Sequence, residues 1–261
     1  MSQDLLVVTA STHDFPERQS CLDSWGSVQI LTQWNGQDGK EYLGVVPAFR
    51  LGVDHALAHS SAGIIACLHD DLLIRDLHWV ARVVEIFRRY PQVGLVGFGG
   101  ATGLGDPDLY KKPYAPEQLA RRGFVSNLDD AEAHGQRGLV PQRVACLDGF
   151  SLIGRREFLE GYTVQAEAGY PAHDRPWTVL DSLGMRHHFY DGALGCLARR
   201  YGWETWFVPI RCHHFGGRTA VGDPQYQTWA QTQVAGGDHG FWQHAHRIGY
   251  DAFRDVLPFT V

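Results

Sequence analysis

The chain has 261 residues, 44% of them hydrophobic and 20% charged, and 23 Lys and Arg stand against 29 Asp and Glu for a formal net charge of −6. This suits a soluble globular protein with a substantial core and excludes disordered and fibrous classes, while the acidic balance argues against broad electrostatic binding to nucleic acid. Cys21, Cys67, Cys146, Cys196 and Cys212 are odd in number and never spaced CxxC, so neither a disulfide framework nor a zinc ribbon is indicated.

The first hundred residues alternate apolar strands with amphipathic helices, which predicts a mostly parallel sheet wound with helices. "DLLVVTA" reads as a strand, "FPERQSCLDSW" as a helix, "SVQILTQW" as a strand, "VPAFRLGVDHALAHS" as a helix and "GIIACL" as a strand. The next helix has Asp76 as its N-cap, Leu77, Val80, Ala81, Val84 and Phe87 at helical spacing, and Pro91 as its end. "VGLVGFGG" returns as a strand. Residues 101–142 are rich in Gly, Pro and charge with little periodicity and are expected to be an irregular insertion or a mobile loop over one face. Regular structure resumes with "RVACLDGFSLIGRREFLEG", a strand and a short helix. "DGALGCLARRYG" is a helix with Asp191 at its start and Gly202 at its C′ position, "ETWFVPIRCHH" is a strand, and 219–261 form a helical tail. No internal repeat is visible. No apolar run reaches the length of a bilayer, and "MSQDLLVVTAS" lacks the pattern of a leader, so the expectation is a cytoplasmic protein.

The chemistry concentrates at the end of "GIIACLHDD", where His69, Asp70 and Asp71 follow a buried strand. In open α/β sheets, ligands collect at the carboxyl ends of parallel strands. Two adjacent desolvated carboxylates repel each other, and a divalent ion shared with substrate phosphates relieves that cost. The alternative is plain: Asp71 caps the next helix and Asp70 is solvated.

The ordered set "VVTAS", "PAFRLGVDHALAHSSAGIIACLHDD", "CLDGFSLIGRREFLE" and "HHFYDGALGCLARRYGWETWFVPIRCHHFGG" resembles the nucleotide-sugar-dependent glycosyltransferases of the GT-A fold, in the family 2-like group. The resemblance extends over most of the chain. It implies a single α/β domain with a Rossmann-like, mostly parallel sheet flanked by helices: a nucleotide-sugar half in 1–100, the insertion in 101–142, and an acceptor and catalytic half in 143–218. It implies Mn²⁺ or Mg²⁺ held by Asp71, Asp70 and a histidine from "CHH". Neighbouring side chains on a strand point to opposite faces, and His213 is favoured over His214. By resemblance Asp191 is the base that deprotonates the acceptor hydroxyl in an inverting transfer, unless it is simply the helix N-cap. Thr9, Ala10, Ser11, Asn35, Arg50 and Asp70 fall where relatives bind the donor, and Asp148, Gly149 and Tyr190 where they bind the acceptor.

The pattern is departed from at Gln33 and Trp34, which replace an acidic residue, and at Arg50, which stands where asparagine is common. The indole of Trp34 is a candidate stacking face for the base, and "WNGQDG" otherwise reads as a turn. Arg155 and Arg156 read as a phosphate site or as a solvated helix start. Tyr110, Tyr114, Trp177 and Phe189 offer apolar faces for a sugar or base, core packing being the alternative. The expected partner is a nucleoside-diphosphate sugar. The acceptor is open between glycan, protein, lipid-linked sugar and a hydroxymethylated base in DNA, the last by contacts from Lys111, Lys112, Arg121 and Arg122. A second reading is a non-catalytic sugar-nucleotide-binding or scaffold protein of the same fold.

Overall fold

The computed structural model describes residues 4–12, 14–36, 42–105, 121–129, 135–164, 173–216, 224–233, 237–257 and 259–261. Its centre is a seven-stranded sheet in the order β2 (Gln29–Trp34), β1 (Leu5–Ser11), β3 (Ile64–Leu68), β11 (Ser151–Arg155), β5 (Val93–Gly97), β12 (Glu204–Phe207) and β9 (Gln142–Arg143). β2, β1 and β3 are parallel, β11 enters antiparallel between β3 and β5, β12 is parallel to β5, and β9 closes the edge antiparallel. The sheet is thus mostly parallel, as the alternating pattern predicts.

Every residue of β3 and β5 is buried, because both faces of the sheet are covered. The period-2 alternation of β1 sorts its side chains between two cores. Leu6 and Val8 pack with Val46, Phe49, Val53 and Ala56 of α2 (Val45–His59). Leu5 and Val7 pack on the other face with Trp25, Trp79 and Phe87, next to α1 (Arg18–Ser24) and on α3 (Trp79–Arg89). Gly52 lets α2 approach the sheet: a Cβ there would lie 2.3 Å from Val8 Cγ1. The two tryptophans are chained by hydrogen bonds, Trp79 Nε1 donating to the Trp25 carbonyl at 3.1 Å and Trp25 Nε1 to the Leu72 carbonyl at 2.9 Å.

Four sequence expectations are revised. α3 starts at Trp79; Asp76 instead makes the preceding turn, its Oδ1 accepting the His78 N–H at 2.9 Å. Arg155 and Arg156 are neither a phosphate site nor a solvated pair. Arg155 donates to the Phe87 carbonyl at 2.6 Å, near the C-terminus of α3, and Arg156 to the Leu57 carbonyl at 2.7 Å, near that of α2, so both satisfy carbonyls that a helix end leaves open. The span 101–142 is not simply irregular, since it supplies strands to a second sheet. There β6 (Gly99–Leu104) lies between β10 (Cys146–Leu147) and β7 (Arg121–Ser126), with β8 (Gln136–Arg137) beyond β7 and β14 (Phe259–Thr260) also paired to β6. Its glycines permit close strand approach: a Cβ on Gly100 would sit 2.6 Å from the Cys146 carbonyl oxygen. Finally, "ETWFVPIRCHH" is broken after β12, at a stretch containing Pro209, which has no N–H to donate to a ladder. The chain then re-forms as β13 (Cys212–His214), antiparallel to β4 (Leu72–Ile74) in a separate pair.

Short helices α4 (Arg156–Leu159) and α5 (Pro176–Ser182) precede α6 (Tyr190–Arg200), and α7 (Pro224–Gln233) and α8 (Gly237–Ala252) form the helical tail. α6 ends as expected: Gly202 has φ of 81°, its N–H bonds to the Arg199 carbonyl, and Trp203 N–H reaches back to the Ala198 carbonyl, the double closure of a Schellman cap. All five cysteines are buried, and none is in a disulfide. Among the described residues no helix is long and apolar enough to cross a membrane.

Candidate active site

β3 ends where the His69 N–H donates to the Phe150 carbonyl at 3.1 Å, and Leu72 N–H returns to the His69 carbonyl at 3.2 Å. Asp70 and Asp71 occupy the middle of that tight turn, and their side chains part company there. The β4–β13 ladder sets His214 opposite Leu72, one residue past Asp71. His214 Nε2 lies 3.2 Å from Asp71 Oδ1, and His69 Nδ1 lies 4.0 Å from the same oxygen. Phe150 stacks on the His214 ring at 4.9 Å between centroids, and Phe49 of α2 on His69 at 6.3 Å. One ligand atom from each of His69, Asp71 and His214 falls within 4.8 Å of the others. Two imidazole nitrogens and a carboxylate oxygen, this close and backed by aromatic rings, fit a divalent transition metal.

The electrostatics agree with that donor set. Burial pushes the His69 pKa down to about 4, against the opposing pull of Asp71 and Asp191, so the ring is neutral with a lone pair to offer at neutral pH. Burial would raise Asp71, but the His214 hydrogen bond and the charges of His214 and His69 outweigh it and hold the carboxyl down at about 2. Asp70 moves the other way: burial raises its pKa, and the Ser11 hydroxyl and Arg18 only partly counter this. Ser11 Oγ donates to Asp70 Oδ2, and Arg18 Nε reaches the same oxygen at 3.2 Å. The Arg18 guanidinium also lies 4.8 Å above the Trp34 ring, so one face of that indole is already covered.

Asp191 sits in the first turn of α6 and is buried, its Oδ1 accepting the Gly192 N–H at 2.7 Å. A helix N-terminus favours negative charge. The turn is made by Phe189, whose φ of 61° is the one left-handed non-glycine conformation among the described residues. Beside Asp191, the Tyr190 hydroxyl lies 2.9 Å from His69 Nε2. A Cβ on Gly149 would stand 2.3 Å from the Tyr190 hydroxyl oxygen and 3.4 Å from Asp191 Oδ2.

Of the residues singled out in the sequence, Asp71, Asp191, Gly149 and Tyr190 converge with His69 and His214. The choice between the paired histidines is corrected: His214 faces Asp71, whereas His213 Nδ1 lies 3.9 Å from Asp129, which also binds Arg75 and Arg211. Asp70 faces Ser11 and Arg18 rather than the histidines. Thr9 is fully buried with its hydroxyl enclosed, and Ala10 is partly exposed beside it. Asn35 ties the end of β2 down, its Oδ1 accepting the Leu43 N–H at 2.7 Å and its own N–H donating to the Ser11 carbonyl at 2.8 Å. Arg50 pairs with Asp181 at 2.8 Å and Asp54 at 3.1 Å. Asp148 starts the turn into β11, its carbonyl accepting the Ser151 N–H at 3.2 Å. Trp177 and Phe189 belong to the core. Lys111, Lys112, Tyr110 and Tyr114 lie outside the described residues, as do the side chains of Arg121 and Arg122.

Sequence reasoning missed His69 as a member of the group and Arg18 as the cation on Asp70. For His69 the signal was its place in "HDD"; for Arg18 there was none, because the contact joins α1 to a turn 52 residues away.

Residues 48–160 match the model of a family described as "Glycosyltransferase like family". No curated protein matches the chain. Among solved structures, the chain is similar to A197 from STIV, at 13% identity and a TM-score of 0.48 over 81% of this chain and 85% of that one. It is also similar to the mannosyltransferase PcManGT from Pyrobaculum calidifontis, solved with GDP-Man and Mn²⁺, at 14% identity and a TM-score of 0.44 over 97% of this chain and 72% of that one. Over residues 48–160, less than half of its length, the chain is thus similar to this glycosyltransferase-like family, and its fold is mixed α/β with a large, mostly parallel central sheet flanked by helices.

Proposed function

We propose that the protein transfers a glycosyl group from a nucleoside-diphosphate sugar to an acceptor hydroxyl with the help of a divalent ion. The observation that carries this reading is the clustering of His69, Asp71 and His214 ligand atoms within 4.8 Å of one another, on the same rim as buried Asp191. Asp71 Oδ1, His214 Nε2 and His69 Nδ1 would hold the ion. Two nitrogen donors suit Mn²⁺ better than Mg²⁺, which prefers oxygen ligands. When bound, the ion offsets charge developing on the leaving diphosphate.

The chain's own groups do the rest. Asp191 takes the proton of the acceptor hydroxyl as its oxygen attacks the anomeric carbon and the bond to the diphosphate oxygen breaks, inverting that carbon. Ala10 and Ser11 at the end of β1 line the donor side, Thr9 and Asn35 hold that edge in shape, and Asp148 stands on the acceptor side. Asp70, neutralised by Arg18, keeps a second negative charge away from the diphosphate. Arg50, expected on the donor, is assigned instead to the α2–α5 ion pairs.

The test is consumption of UDP- and GDP-sugars by the full chain with Mn²⁺. Donor turnover should appear with Mn²⁺, vanish in EDTA and vanish in Asp71→Asn. Turnover that survives both treatments contradicts the reading.

A further inference from the structure

The His69 ring has neighbours of two kinds. Its Nδ1 is 4.0 Å from Asp71 Oδ1, beyond hydrogen-bond reach, whereas its Nε2 is 2.9 Å from the Tyr190 hydroxyl. A neutral imidazole carries one proton, and whichever nitrogen holds it cannot bind a metal. Nothing at 4.0 Å fixes a proton on Nδ1; the contact at 2.9 Å can fix one on Nε2. That contact exists because position 149 lacks a side chain, since a Cβ there would fall 2.3 Å from the Tyr190 oxygen. The backbone φ of Gly149 is outside the left-handed range, so space rather than conformation calls for glycine.

We propose that Tyr190 is a positioning residue for the metal centre: its hydroxyl accepts the Nε2–H of His69, leaving Nδ1 bare and turned toward Asp71, and Gly149 is the gap that admits it. The inference rests on the reading of His69, Asp71 and His214 as ligands of one ion. It gives Tyr190 and Gly149 a role at the metal centre besides the acceptor side, where the sequence had put them. It also ties the ion to the first turn of α6, because Tyr190 adjoins Asp191.

Partners of this kind typically change metal affinity by about 10- to 100-fold. The experiment is titration of the full chain with Mn²⁺, read by the electron paramagnetic resonance of the free ion, for the unsubstituted protein, Tyr190→Phe, Gly149→Ala, His69→Gln, the Tyr190→Phe/His69→Gln double variant and Asp71→Asn. Tyr190→Phe should raise the Kd by about 10-fold, Gly149→Ala should shift it the same way, and Tyr190→Phe should add nothing once His69 is Gln. Wild-type affinity in Tyr190→Phe, with binding lost in Asp71→Asn, rejects the positioning role and leaves the metal site standing. A Tyr190→Phe loss that persists in the His69→Gln background also rejects it, because the hydroxyl would then act elsewhere. Affinity that Asp71→Asn does not change removes the metal site itself.

Discussion

The two adjacent histidines of β13 give the sharpest contrast. His214 Nε2 is 3.2 Å from a buried Asp71 oxygen, while His213 Nδ1 is 3.9 Å from an Asp129 that keeps Arg75 at 2.7 Å and Arg211 at 3.1 Å without it. A hydrogen bond to a charged group contributes roughly 1.5–3 kcal/mol, and an exposed pair about 0–1 kcal/mol. His214→Gln should therefore cost about 1.5 kcal/mol in EDTA, or roughly 3–6 °C of unfolding midpoint for a chain of this size. Its Mn²⁺ affinity should drop by about 10- to 100-fold, at 1.4 kcal/mol per factor of ten. His213→Gln should change neither by more than about 0.5 kcal/mol. Thermal unfolding in EDTA and Mn²⁺ titration of the two variants side by side supply both numbers. The reasoning fails if His213→Gln loses the ion and His214→Gln keeps it.

Other residues make separable predictions. Asp191→Asn should lower the transfer rate by about 10²- to 10⁴-fold while leaving the donor KM near its original value, the signature of a lost general base; a changed KM with an intact kcat speaks against the role. Trp25→Phe removes the indole donor from the buried Leu72 carbonyl next to Asp71, and urea unfolding should show a loss of about 2–3 kcal/mol; under 0.5 kcal/mol would mean that the carbonyl finds another partner. Gly52→Ala forces a Cβ to 2.3 Å from Val8 Cγ1 and should destabilise by about 1–3 kcal/mol despite its better helix propensity; a stabilised variant would show that α2 can lift off the sheet without cost.

Much of this was legible in the sequence because it depends on local pattern. Alternating cores and helical spacing gave β1, β3, α2 and the order of elements, and the Gly202 cap was readable from one glycine. What was not legible depends on distant pairing. The strand expected to end in "CHH" is interrupted near Pro209 and re-pairs with β4, and that re-pairing turns His214, not His213, to Asp71. Periodicity within one segment holds no information about a partner 140 residues away. The strands of the second sheet were hidden because glycine weakens the β signal where strands approach most closely. Arg155 and Arg156 read as surface charge, yet their donors close two helix ends that only the folded chain brings near them.

The most direct measurement is anomalous diffraction at the manganese edge from crystals soaked with Mn²⁺ and a nucleoside diphosphate. The account predicts a single strong peak bounded by Asp71 Oδ1, His69 Nδ1 and His214 Nε2 and next to the bound diphosphate. A clear map with diphosphate bound and no peak among those three atoms would contradict it.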